Sequence, residues 1–98
     1  MGASQFFARA NGKYEAGDYK GAIEDFNKAI QLNPTFASAF NNRGIAKDVL
    51  GDNKGAIDDF NKGIQLNPTN ANAFSGRGNA KLNSGWFVWM FLFFEAFF

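Results

Sequence analysis

Cysteine and histidine are both absent from these 98 residues. Without cysteine there is no disulfide framework and no thiolate nucleophile. Without histidine, the commonest metal ligand and the commonest general base are gone. Neither charge sign dominates: ten Lys and Arg stand against nine Asp and Glu, for a net charge of +1. That balance gives no electrostatic ground for binding nucleic acid or an anionic surface. The opening MGASQFFARANG lacks the apolar core of a signal peptide, and Phe6 stands where a myristoylation pattern needs Ser or Thr. A chain of this length forms one small domain, on the low side for burying a core. Proline is scarce, and its two copies, Pro34 and Pro68, lie 34 residues apart.

That spacing is the period of the whole sequence. Residues 17–50 and 51–84 align without a gap, with 23 of 34 positions identical. A repeat of this length predicts an array of helix pairs, so the expected fold class is all-α. From Lys20 to Leu32, apolar Ala22, Ile23, Phe26, Ala29 and Ile30 fall on one helical face. Asp18 offers an N-cap oxygen, and Asn33-Pro34 stops the helix because proline cannot donate and restricts the residue before it. The next helix starts near Ala37, carries Ala39, Phe40, Gly44, Ala46 and Leu50 on its inward side, and ends at Gly51. Gly44 and its counterpart Gly78 sit mid-helix, which costs about 1 kcal/mol relative to alanine and is explained by close helix–helix packing.

The spacing of Phe40, Gly44, Gly51, Ala56, Ile57, Phe60, Ile64 and Pro68 resembles the tetratricopeptide repeat (TPR) family. The wording NNRGIAKDVLGDNKGAIDDFNK is similar to the version common in cyanobacterial repeat proteins. The family's phase implies repeats over residues 1–85, with units at 3–36, 37–70 and 71–85, the last being the first helix of a third unit. Unit one is degenerate: Ala10 replaces the glycine of its first helix, and Gly12 weakens that helix. The usual Leu and Tyr of the first helix are replaced by Arg9, Arg43 and Arg77 and by Lys13, Lys47 and Lys81.

The resemblance implies a non-catalytic protein-interaction module that binds a peptide or protein partner on a concave face lined by the first helices. On that side the candidate partner-binding residues are Asn11, Ser38, Asn42, Ile45, Asn72 and Asn79. The surface is rich in amides and poor in charge, and amides can bond an extended peptide's backbone without reading its charge. The competing reading is that these are ordinary solvated polar positions. One subset of the family grips the C-terminal carboxylate of heat-shock chaperones with two asparagines and three basic residues. Asn11 and Asn42 match its asparagines, but Phe7, Asn72 and Gly76 stand at the basic positions, so the clamp is incomplete.

Other constellations carry less. Glu24-Asp25 and Asp58-Asp59 are the only acidic pairs, and they read as solvated helix surface beside Lys54 and Lys62 rather than as metal ligands or an acid–base pair. GRGNAK at 76–81 lacks the spacing and the preceding strand of a phosphate loop, and the two Asn-Pro-Thr triplets are excluded from glycosylation by their proline. No catalytic residue, metal site or cofactor is expected. The column Arg9, Arg43, Arg77 reads either as a basic track for an acidic or phosphorylated peptide or as structural pairing with Asp25, Asp59 or Asp48; the balanced charge favours pairing.

Residues 86–98, WFVWMFLFFEAFF, occupy the slot of the third unit's second helix. Twelve of the thirteen are apolar. Met90, Phe91, Phe94 and Phe97 take inward positions, while Trp86, Trp89, Leu92 and Phe93 replace polar outward ones and form a candidate association surface. A helix of this length reaches about 20 Å, short of the ~30 Å hydrocarbon layer. Self-association as a dimer, or docking to a partner, buries it most simply. The alternatives are a small membrane-associated subunit or assembly factor, and an end with no role of its own. The expected location is cytoplasmic, with membrane association as the rival.

Overall fold

The computed structural model describes residues 1–85; the helix expected over 86–98, with Trp86, Trp89, Leu92 and Phe93, lies outside the described residues. Every described element is an α-helix: α1 (Ala3–Glu15), α2 (Tyr19–Leu32), α3 (Ala37–Val49), α4 (Asn53–Leu66) and α5 (Ala71–Asn83). The punctuation works as the composition predicts. Asp18 and Asp52 cap α2 and α4 by accepting from the backbone N–H of Gly21 at 2.9 Å and of Gly55 at 3.0 Å. The turn before each cap passes through a glycine with positive φ, 84° at Gly17 and 89° at Gly51, where a side chain would be strained. At the other end of each pair, Asn33 and Asn67 leave the helix and accept from Thr35 and Thr69, closing an Asx turn around the proline.

These turns pack α1 on α2 and α3 on α4, with α5 laid against α4 and α3. The first core cluster is Ala10, Ala22, Phe26, Ala29 and Ala39, with Phe7 and Phe36 packed against it. Phe7 meets Phe36 and Phe26 at ring-centroid distances of 4.7 and 5.9 Å. The second cluster is Ala56, Phe60 and Ala80, flanked by Ile45 and Ile57. Phe60 fills the space between two glycines: a Cβ on Gly44 would lie 3.0 Å from its ring, and one on Gly76 only 2.6 Å. Gly44 thus serves the close approach its position implies, whereas at Gly78 a Cβ would meet nothing within 4 Å. Leu50, expected on the inward stripe, is instead the C-cap residue of α3 and 45% exposed, because the helix ends at Val49.

The acidic pairs need correction. Glu24 and Asp58 are exposed, but Asp25 and Asp59 are buried, at 1% and 4% exposure. Each is held by the basic column. Arg9 donates to Asp25 through Nε (2.8 Å) and Nη2 (2.9 Å), and Lys13 Nζ adds a contact of 3.0 Å. Arg43 repeats the fork on Asp59 at 2.8 and 2.7 Å, with Lys47 at 3.1 Å. A bidentate pair plus a second cation supplies the hydrogen bonds that a desolvated carboxylate requires. The Arg9 guanidinium, followed by Lys13, holds the Asp25 carboxyl at about 2, below its ordinary 3.8. Arg43 also donates to Asn27 at 2.8 Å, and Arg77 to the corresponding Asn61 at 3.0 Å. These contacts tie each first helix to the second helix of the unit before it. Asp48 takes no part in the column; it accepts from Asn53 and Asn83.

Candidate functional site

The first helices of successive units lie side by side, and a cavity of about 450 Å³ opens along them. Helix α3 contributes Ser38, Asn41, Asn42 and Ile45 to its wall. Asn70, just before α5, and Asn72, Ser75, Gly76 and Asn79 within it form the opposite wall, and Phe7 of α1 closes one side. Five of the six candidate residues read from sequence, Ser38, Asn42, Ile45, Asn72 and Asn79, line this one cavity. Asn11 lies in an adjoining recess of about 120 Å³ with Tyr14, Asn42 and Ile45. The two are joined by a hydrogen bond from Asn42 Nδ2 to Asn11 Oδ1 at 3.0 Å.

The lining of the larger cavity contains no charged side chain. Its polar groups are amides and hydroxyls, which both donate and accept. Asn70 is partly committed already, since its Oδ1 accepts from Asn72 N–H at 3.0 Å and caps α5. Asn41, Asn70 and Ser75 were not among the residues singled out from sequence. For Asn41 a signal existed: its counterpart one period earlier is Phe7, so an amide has replaced an aromatic in the repeat. The basic column does not reach this cavity; Arg9 and Arg43 are spent on buried carboxylates. Among the described residues no group of His, Cys, Asp or Glu could hold a metal ion. Nor is any described helix long and apolar enough to cross a membrane.

Comparison with known proteins agrees with this architecture. A curated relative, tetratricopeptide repeat protein 36 homolog from Nematostella vectensis, is 58% identical over 31 residues, which is 32% of this chain and only 17% of the relative's length. Among solved structures, the second TPR of Spaghetti (RPAP3) bound to the HSP90 peptide SRMEEVD matches 87% of this chain and 79% of its own, with a TM-score of 0.84 and 28% identity. The second TPR domain of human RPAP3, in complex with the HSP70 peptide SGPTIEEVD, matches 82% of this chain and 67% of its own, with a TM-score of 0.79 and 30% identity. MamA matches 86% of this chain and 46% of its own, with a TM-score of 0.83 and 25% identity. These likenesses carry the family and not the cyanobacterial type of its repeats. The family model described as TPR repeat matches residues 10–47 and 50–85, most of the chain, and the chain therefore belongs to the TPR repeat family.

Proposed function

We propose that this chain is a non-catalytic interaction module that holds an extended, uncharged segment of a partner protein in the cavity between α1, α3 and α5. The observation that carries this is the chemistry of the lining: a run of Asn and Ser side chains, with no charged group, along a concave surface. Side chains of this kind match the alternating N–H and C=O groups of an extended backbone. The RPAP3 domains are bound to acidic peptides, SRMEEVD of HSP90 and SGPTIEEVD of HSP70. Here Phe7, Asn72 and Gly76 stand where the chaperone-binding subset carries its cations, so a terminal carboxylate gains no ion pair in this groove.

The test is direct. Linear peptides of about twelve residues, displayed on phage, are selected on the full chain. A selected peptide is then synthesised with both ends capped and measured against a variant combining Asn11→Ala, Asn42→Ala and Asn79→Ala. Each lost hydrogen bond is worth about 1 kcal/mol, so the combined variant is expected to bind at least tenfold more weakly while keeping its helicity. Unchanged affinity in that variant rules out the groove.

A second role belongs to residues 86–98: self-association or partner docking through the apolar surface of Trp86, Trp89 and Leu92. Composition supports it, since these stand one period after Asp52, Gly55 and Asp58. Phe93, expected in the same surface, stands one period after Asp59, and like the others it lies outside the described residues.

A further inference from the structure

One polar side chain in the groove departs from both the packing and the repeat. Asn41 is 3% exposed, and neither its Nδ2 nor its Oδ1 has a hydrogen-bond partner. Buried amides are normally satisfied, and each exception calls for a reason. Its position one period earlier belongs to Phe7, which packs on Phe26 and Phe36. The residue against it changes too. A Cβ on Gly63 would collide with Asn41 Oδ1, and the counterpart of Gly63 one period earlier is Ala29, fully buried in the first core cluster. Where unit one has Phe and Ala, unit two has Asn and Gly, and the missing methyl is what makes room for the amide. A hydrophobic pair would fold the unit more simply.

We propose that the Asn41 carboxamide is a bidentate anchor for the backbone of an extended, uncharged and internal peptide segment. Asn41 lines the cavity beside Asn72 and Ser75. A turn of the side chain away from Gly63 lets Oδ1 accept one peptide N–H while Nδ2 donates to a peptide carbonyl. An amide carries its donor and acceptor side by side, the same pair that a strand offers its neighbour. The uncharged lining selects a chain interior over an acidic terminus. This inference rests on the groove reading above.

The experiment uses the full chain and the capped peptide selected by phage display. Asn41→Leu restores an apolar side chain at a position where the first unit carries Phe. It is expected to raise Tm by a few degrees, roughly, since it removes an unsatisfied buried amide. The same change should weaken the peptide about tenfold or more. Gly63→Ala, outside the cavity lining, crowds Oδ1 in its resting position and so favours the turned side chain. It should leave the peptide bound at least as tightly as in the wild type, and a weakening would contradict the turn. N-methylation of the peptide nitrogen that Asn41 bonds should cost affinity in the wild type and nothing further in Asn41→Leu. If Asn41→Leu binds as tightly as the wild type, or melts lower, the amide is a packing residue and the proposal is wrong. The combined Asn11, Asn42 and Asn79 variant separates the two readings. Its failure to weaken the peptide contradicts the groove itself, whereas its weakening beside an unaffected Asn41→Leu contradicts Asn41 alone. A selection that enriches no peptide contradicts both.

Discussion

Asp25 and Asp59 are the residues on which adjacent helices are fixed. Their burial was readable in principle: Asp25 falls three residues after Ala22 and four before Ala29, on the apolar stripe of α2. Adjacency to Glu24 made it look like one half of a solvated pair, although the pairing favoured for the Arg9 column named it as a partner, and the structure shows both that pairing and its burial. The Asp25 carboxyl, held at about 2 by that fork against an ordinary 3.8, makes stability depend on acid. Because its folded value is depressed, its contribution is fully present above about 3.8 and is lost as pH falls toward 2. Asp25→Asn is therefore expected to cost about 3 kcal/mol near neutral pH. The gap to the wild type should close as pH approaches 2, a prediction checked by urea midpoints across that range. A gap that stays constant with pH would assign the loss to packing alone.

At the scale of the element, the helices were the most legible part of the sequence. Gly-Asp before a helix and Asn-Pro after it act through local backbone chemistry, so α2 and α4 begin and end where those residues stand. Contacts between helices were less legible, because they depend on which face meets which. Gly76 shows this. Its sequence context suggested only a groove position, yet α5 passes so near the Phe60 ring there that an added Cβ would lie 2.6 Å from it. Phe60 is 1% exposed and has nowhere to retreat. Gly76→Ala is expected to destabilise by about 1–3 kcal/mol through overpacking, despite alanine's better helix propensity. Gly12, exposed in α1 and with nothing within 4 Å of an added Cβ, is the control: Gly12→Ala should stabilise by about 1 kcal/mol. Chemical denaturation of both variants checks the pair. Equal effects would mean that Phe60 does not constrain α5.

For the whole molecule, the third unit's departure from the first two matters. Arg9 and Arg43 each meet an aspartate, but one period after Asp59 stands Phe93, so the carboxylate of that register is missing from the third unit's sequence. The third unit thus continues into a segment with apolar residues where the first two have polar ones. The full chain is expected to run above monomer mass in sedimentation, and a Trp86→Lys, Leu92→Lys variant to run as a monomer with unchanged helicity. A monomeric full chain at high concentration would end the self-association reading, and partition onto neutral lipid vesicles would replace it with a membrane one. The groove was partly legible. Five of its residues follow from the concave face that the family resemblance implies, placed on the helical wheel, while Asn41 carried only the replacement of an aromatic by an amide, and the space Gly63 leaves for it is seen in the structure. The central claim is that this groove binds uncharged backbone rather than acidic termini. It is tested most directly by fluorescence anisotropy of the capped selected peptide and of SRMEEVD, each at low and high salt. An amide groove predicts tight binding of the capped peptide that changes less than about twofold with salt, and no saturable binding of SRMEEVD. Preference for SRMEEVD, with affinity falling about tenfold or more as salt rises, would contradict it.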